Sequence, residues 1–244
     1  VSGRQVTSGY WRKLLHYPDL TASLVGDRIP GVTAEEDVTA VLYYVHDPMC
    51  SWCWSFVPVL RHFLEKLPVE IRVKRLLGGL APDSDVPMPV ELRHTIEATW
   101  RRIQERVPGT VFNYDFWTQC APRRSTYPAC RAVIAARMQG GAFDEHMTRA
   151  IQLAYYTQAR NPSDESTLVE LSGELALDEC AFIDALRSEL VQRQLLAEIE
   201  LSRQLHATGF PSVVLKKGAA VWPILIDYND SAPMLEMIAG LTAA

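Results

Sequence analysis

Apolar positions change period along this chain, and each change marks an element. Residues 38–45 (VTAVLYYV) form a compact run rich in β-branched and aromatic side chains, which suits a buried strand. The run ends in a turn, His46-Asp47-Pro48-Met49. Over residues 53–67 the apolar residues Phe56, Val59, Leu60, Phe63, Leu64 and Leu67 recur at helical spacing, which predicts an amphipathic helix. Pro58 lies inside it and is expected to kink it. Residues 69–77 alternate as a second strand, closed by Gly78-Gly79.

The period then lengthens. Leu92, Ile96, Trp100, Ile103 and Val107 share one helix face, stopped by Pro108-Gly109. Residues 110–125 are irregular and aromatic. Helices are predicted over 128–139, 143–157, 164–175, 179–187 and 189–207. Gly140-Gly141, Asn161-Pro162-Ser163 and Asp178 supply breaks and N-caps, and Gly209 is placed as the last C-terminal stop. Two short apolar runs, 212–215 and 221–226, are joined by Lys216-Lys217-Gly218, a hairpin signal, and a helix over 234–241 closes the sequence. Residues 1–37 are polar and interrupted by Gly26, Pro30 and Gly31. They read as an extension with one short helix around Trp11 to His16. The order β-α-β, helices, α-β-β-α defines an α/β chain.

Composition removes several function classes. With 244 residues, 48% hydrophobic and 22% charged, the chain is long enough for a sizeable core and ordinary for a globular protein. A net charge of -5 argues against a nucleic-acid partner, which selects for excess Lys and Arg. No apolar run approaches the ~18 residues needed to span a bilayer, so no membrane partner is expected. Residues 1–37 lack the apolar centre of a signal peptide, and the expected location is cytoplasmic.

The chemistry lies in the cysteines. There are five, an odd number, and only Cys50 and Cys53 form a close pair, C-x-x-C. In a reducing compartment such a pair is more often catalytic or metal-binding than structural. A zinc site needs a second Cys or His pair, and the sequence has none at close spacing, although His46 and His62 stand near enough to be considered. A purely structural disulfide across so short a loop stabilises little. Between a buried strand and a helix N-terminus the pair has a mechanical purpose. Free backbone N–H groups and a partial positive charge favour a thiolate at Cys50. Cys50 would attack a disulfide, and Cys53, one turn on, would resolve the mixed disulfide. Ser51 is a candidate donor to the Cys50 sulfur, and Trp52 a candidate partner-facing aromatic. About 160 residues later Gly209-Phe210-Pro211 precedes an apolar strand, and an X-Pro bond there can be cis.

The sequence resembles the DsbA-type thioredoxin-domain oxidoreductases, in particular a cytoplasmic branch of predicted protein-disulfide isomerases related to the FrnE-like proteins. The residues that carry this are Asp47-Pro48-Met49-Cys50-Ser51-Trp52-Cys53-Trp54, Pro58, Leu77-Gly78-Gly79-Leu80, the segment Phe112-Asn113-Tyr114-Asp115-Phe116-Trp117, and Gly209-Phe210-Pro211-Ser212. They span roughly residues 40–230. The resemblance implies a thioredoxin fold with a large all-helical insertion: an extension at 1–37, a thioredoxin-like domain from 38–81 and 200–244, and an inserted helical domain at 82–199. It also implies Cys50 as nucleophile, Cys53 as resolving thiol and Pro211 as a cis-proline packed beside them, where the backbone of the preceding residue pairs with substrate.

One departure matters. Thioredoxins place a buried carboxylate in the strand behind the active site, and here Tyr44 occupies that neighbourhood. Proton transfer would then fall to His46 or Asp47. Phe112, Tyr114, Phe116 and Trp117 are more simply a packing cluster, with Phe112 and Trp117 the candidates to line a substrate groove with Trp52 and Phe210. Cys120, Cys130 and Cys180 read as packed thiols. Cys130 is the exception to watch, because it opens a helix and could exchange with the Cys50–Cys53 pair.

The implied activity is disulfide exchange with protein or peptide thiols, with no metal or organic cofactor and with glutathione as a candidate co-substrate. The alternatives are a glutathione-dependent isomerase or transferase, of the 2-hydroxychromene-2-carboxylate isomerase or kappa class, and a non-enzymatic peptide-binding module. The intact cysteine pair favours redox chemistry over the former.

Overall fold

The computed structural model describes residues 40–243. The extension and its expected helix near Trp11 lie outside the described residues.

Strand β1 (Val41–His46) is the centre of the sheet. It runs parallel to β2 (Arg72–Leu77) and antiparallel to β3 (Ser212–Lys217), which pairs in turn with the antiparallel edge strand β4 (Ala220–Ile224), giving the order β2-β1-β3-β4. Strand alternation divides the β1 side chains between two layers. Leu42 and Tyr44 pack with Phe56, Leu60 and Phe63 of helix α1 (Ser51–Glu65) and with Met234 and Ile238 of the C-terminal helix (Ala232–Thr242). Tyr43 and Val45 point the other way, against Leu205 and Ala207. Helix α1 continues through Pro58 without interruption.

Boundaries shift for local reasons. The strand expected from residue 69 starts at Arg72. Pro68 opens a turn closed by the Ile71 N–H on its carbonyl (3.0 Å), and Val69 is 95% exposed. The hairpin turn is Gly218-Ala219, with Gly218 at φ +60°, a left-handed conformation that glycine adopts without strain. Pro223 sits in β4, where an edge position tolerates a missing N–H.

Between β2 and β3 come α2 (Val90–Arg106), α3 (Phe116–Gln119), α4 (Tyr127–Arg137), α5 (Phe143–Thr157), α6 (Glu165–Glu174), α7 (Glu179–Leu186) and α8 (Glu189–Gln204). The C-terminal helix is α9. Helix α3 is a single turn inside the aromatic stretch that showed no period. These helices enclose a core of their own, built on Trp100, Ile103, Ile134, Met147, Ile151 and Phe182. Helix α8 serves both layers: Val191, Leu195 and Ile199 belong to the helical core, while Leu201 and Leu205 reach the sheet. It ends before Gly209. His206 takes the left-handed conformation (φ 58°), and the N–H groups of His206 and Ala207 close on the Arg203 and Ser202 carbonyls, both at 2.9 Å, a Schellman arrangement. Asp178 caps α7 as expected, accepting from the Ala181 N–H at 3.0 Å. No helix of the described residues is long and apolar enough to cross a membrane.

Candidate active site

Strand β1 delivers the chain to the head of α1 through the turn Asp47-Pro48-Met49, closed by the Cys50 N–H on the Asp47 carbonyl at 3.0 Å. Cys50 is the N-cap residue, with extended backbone (φ -84°, ψ 116°), and the first turn of α1 carries no acidic side chain. The positive end of the helix is therefore not neutralised locally. The register of β3 on β1, with Ser212 opposite Val45, brings Phe210 and Pro211 to the same end of the sheet. The Phe210–Pro211 peptide is cis. The Cys50 thiol donates to the Phe210 carbonyl at 3.4 Å, joining positions 160 residues apart. Cys50 and Cys53 are both free thiols.

The two thiols differ in setting. Cys53 is wholly buried (0% exposed) one turn behind Cys50. Burial pushes its pKa well above the ordinary thiol range, and the hydrogen bond and charge of Cys50 push further in that direction. Tyr44 lies on the strand behind. Its phenol is raised well above its usual value, chiefly by burial and then by the charge of Cys53. Ser51 and Trp52 are half-buried at the helix start.

Asp47 is a tie point rather than an exposed turn residue. Its carboxylate is fully buried and accepts from the Met49 N–H (2.8 Å), the Leu80 N–H (2.7 Å), the Thr126 hydroxyl (2.6 Å) and the Cys130 thiol (3.5 Å). It thereby links the active-site turn to the loop after β2 and to α4. Burial raises its pKa, against the pull of those four donors. The Gly78-Gly79 pair completes that loop. A Cβ on Gly78 would fall 2.0 Å from the Phe210 ring, and Gly79 sits at φ +60° with Ile199 2.5 Å from where its Cβ would be.

Cys130 is a packed thiol, as the sequence favours, and not the accessible helix-end thiol that exchange with the pair would use. It lies fully buried in α4 against Asp47, and burial, then that carboxylate, holds it protonated well above the normal thiol range. The helix-end polarisation is thus outweighed. Cys120 is half-buried and packs against the helical core, whereas Cys180 is exposed and is the one of the three that is not a packed thiol. His46 is also buried. It stacks on Tyr44 (4.8 Å between centroids, 4° between planes), and neither ring nitrogen has a partner among the described residues. Desolvation lowers its pKa to about 4, so it is neutral at physiological pH.

Beside the pair opens a cleft of ≈ 600 Å³, lined by Trp52, Phe210, Tyr228, Ile226, Arg106 and Val107 among others. Trp52 and Tyr228 meet at 5.0 Å. Phe112 and Trp117 do not reach it. Both are 6% exposed and pack on Trp100, Phe112 stacked at 4.7 Å and Trp117 at 4.9 Å, so the irregular aromatic segment fills the helical core. Arg106, Ile226 and Tyr228 carried no sequence signal, because a helix end and a loop after β4 meet only in three dimensions. Among the described residues no group of three His, Cys, Asp or Glu side chains is arranged to hold a metal ion.

Three relatives give this geometry a context. The chain is similar to the ClpXP adapter protein SpxH of Bacillus subtilis, 24% identical over 173 residues that cover 70% of this chain and 56% of that protein. It spans little more than half the length of the curated relatives it matches. Among solved structures it is similar to a proposed protein disulfide isomerase from Nitrosomonas europaea (TM-score 0.72, 25% identity, covering 84% of this chain and 98% of that one). It is also similar to the cytosolic disulfide reductase DsbM from Pseudomonas aeruginosa (TM-score 0.66, 25% identity, 84% and 100%), a protein whose structure is known with GSH as well. A family model described as thioredoxin matches residues 43–220, from β1 into β4, and the chain therefore belongs to the thioredoxin family, with the DsbA-like architecture of a sheet domain and inserted helices.

Proposed function

We propose that this chain is a thiol–disulfide oxidoreductase, with Cys50 as the attacking thiol and Cys53 as the resolving thiol. The observation that carries the reading is the Cys50 sulfur at the head of α1, 3.4 Å from the carbonyl that precedes Pro211, with Cys53 buried one turn behind. The exchange balances as follows. The Cys50 thiolate attacks one sulfur of a client disulfide, forming a mixed disulfide and releasing the other sulfur as a thiolate that takes up a proton. Cys53 then loses its proton, attacks the Cys50 sulfur and expels the second client thiolate. Two electrons pass from the cysteine pair to the client, and the reverse sequence oxidises a client dithiol.

Trp52, Phe210 and Tyr228 offer the aromatic wall on which a client segment would lie, while the backbone around Phe210 supplies polar contacts. No organic cofactor or metal is required, since the electrons reside in the cysteine pair. Glutathione is the co-substrate we favour, and the cytosol the compartment, on the likeness to DsbM.

Equilibration in graded glutathione buffers, with the pair read by thiol trapping and mass, tests the reading. A two-electron transition that disappears in Cys50→Ser is the expected result, and its midpoint gives the direction of exchange. A pair that never closes refutes it. The cleft and the SpxH relatives favour one second reading, a peptide-binding adapter. That reading requires Cys50→Ser to keep all partner binding and biological effect.

A further inference from the structure

The cleft beside Cys50 is mostly apolar, and of the charged side chains that line it only one is available to a client. Trp52, Phe210 and Tyr228 form its aromatic wall, and Asp227 and Arg106 are its charged residues. Asp227 is committed to its own loop, where its Oδ1 accepts from the N–H groups of Asn229 (2.7 Å) and Asp230 (3.0 Å). Arg106 ends α2, where the negative pole of the helix favours a cation. It is exposed, and among the described residues its guanidinium has neither an ion pair nor a hydrogen-bond partner, Asp227 included. Arg123, Arg131 and Arg160 of the same helical insertion are each tied to a carboxylate. The end of α2 is held on the cleft loop by Asn229, whose Nδ2 donates to the Arg106 carbonyl at 3.4 Å. An uncommitted cation is thus fixed on the wall of a cleft that Phe210 also lines, and the Phe210 carbonyl receives the Cys50 thiol at 3.4 Å.

We propose that Arg106 is a specificity-determining residue: it selects peptide clients that carry an acidic side chain beside the reacting cysteine and an apolar one to lie on the aromatic wall. This inference rests on the redox reading above. The occupant is a peptide rather than glutathione, because glutathione has carboxylates but no apolar side chain to cover Trp52 and Tyr228. The net charge of -5 gives the chain a long-range field that favours basic clients. A local cation without a counter-charge reverses that preference at short range, within a screening length of about 8 Å at physiological salt. Exposed ion pairs are individually weak, so the discrimination expected is modest, about fivefold.

The test uses the full chain in its reduced form, with Cys120→Ser and Cys180→Ser removing the thiols outside the pair that are not fully buried. The probes are capped peptides Leu-X-Cys-X-Leu as homodisulfides, with X as Glu, Gln or Lys. Released peptide thiol is trapped and counted by mass. Each rate is divided by that of the same peptide with dithiothreitol, which removes the influence of X on the peptide sulfur. The parent is expected to reduce the Glu peptide about fivefold faster than the Lys peptide. Arg106→Gln is expected to bring this ratio to about one, and Arg106→Glu to invert it. A ratio taken within one protein cancels any change in Cys50 reactivity. A parent ratio near one, or a ratio that neither substitution moves, overturns the assignment. So does a loss confined to oxidised glutathione assayed alongside, which would give the cation to glutathione instead. A parent that reduces none of these disulfides refutes the redox reading itself, so the two failures are distinguishable.

Discussion

His46 makes the stability of this protein depend on pH in a way that can be isolated. Its ring is 0% exposed, both nitrogens lack partners among the described residues, and burial lowers its pKa from 6.5 to about 4, helped by Arg75 and Arg137 and opposed by Asp144. Between those values the unfolded chain holds a proton that the folded chain does not. Stability therefore rises with pH through this window and is lost on acidification. At pH 5 about one and a half pH units of the window have been traversed from the upper end. At 1.36 kcal/mol per unit, His46 then costs about 2 kcal/mol relative to pH 7. Asp47 acts in the opposite sense. Its folded pKa is raised from 3.8, so the folded chain binds the proton more readily and gains stability on acidification. His46→Phe keeps a planar ring against Tyr44, abolishes the titration and leaves Asp47 in place. Urea unfolding of both proteins at pH 5 and pH 7 isolates the histidine as a difference of differences. The parent is expected to lose about 2 kcal/mol more than the variant between the two pH values. Parallel losses within about 0.5 kcal/mol would falsify the assignment of a buried, neutral His46.

Asp47→Ala removes the acceptor for two backbone N–H groups, the buried one of Met49 and the half-buried one of Leu80. The Thr126 hydroxyl is less exposed to the loss, because the Ala81 carbonyl lies 3.3 Å away as a substitute acceptor. Two orphaned donors predict a loss of about 3 kcal/mol at pH 7, read as a shift of the urea midpoint, and a loss below about 1 kcal/mol would show that water or a rearranged turn satisfies them. Gly78→Ala places a methyl where the Phe210 ring now sits, 2.0 Å from its nearest atom, and swings that ring into the cleft. Exchange with oxidised glutathione is expected to slow about tenfold while urea unfolding changes by roughly 1–3 kcal/mol, and an unaltered rate would remove Phe210 from the client surface.

What could be read from the sequence was what is local. The alternation of β1, the helical spacing of α1 and the strand-turn-helix setting of Cys50 and Cys53 are each contained within about a dozen residues, and the structure keeps them. The Phe210-Pro211 element was legible for the same reason, as a proline at a strand start. Errors arose where one local pattern serves two purposes. The aromatics at 112–117 have no period, which suits a binding loop equally well as a core plug. Trp100, three turns into α2, decides the matter by offering Phe112 and Trp117 a buried surface. Gly209 looked like a helix stop, but His206 adopted the left-handed turn because the Schellman hydrogen bonds of α8 repay the strain. Asp47 shows the limit most clearly. As a turn residue before Pro48 it needs no further explanation, and the partner that gives it a second role, Thr126, lies 79 residues away in an inserted helix start. Its position is therefore under two constraints, one from the turn and one from the insertion. The same double constraint holds at Gly78, which ends β2 in the sequence and clears space for Phe210 in the fold. The insertion thus helps hold the active-site turn in place, through Thr126 and Cys130 on Asp47, besides enclosing a core of its own. Variation in the first turn of α4 should accordingly be felt at Cys50 and Cys53.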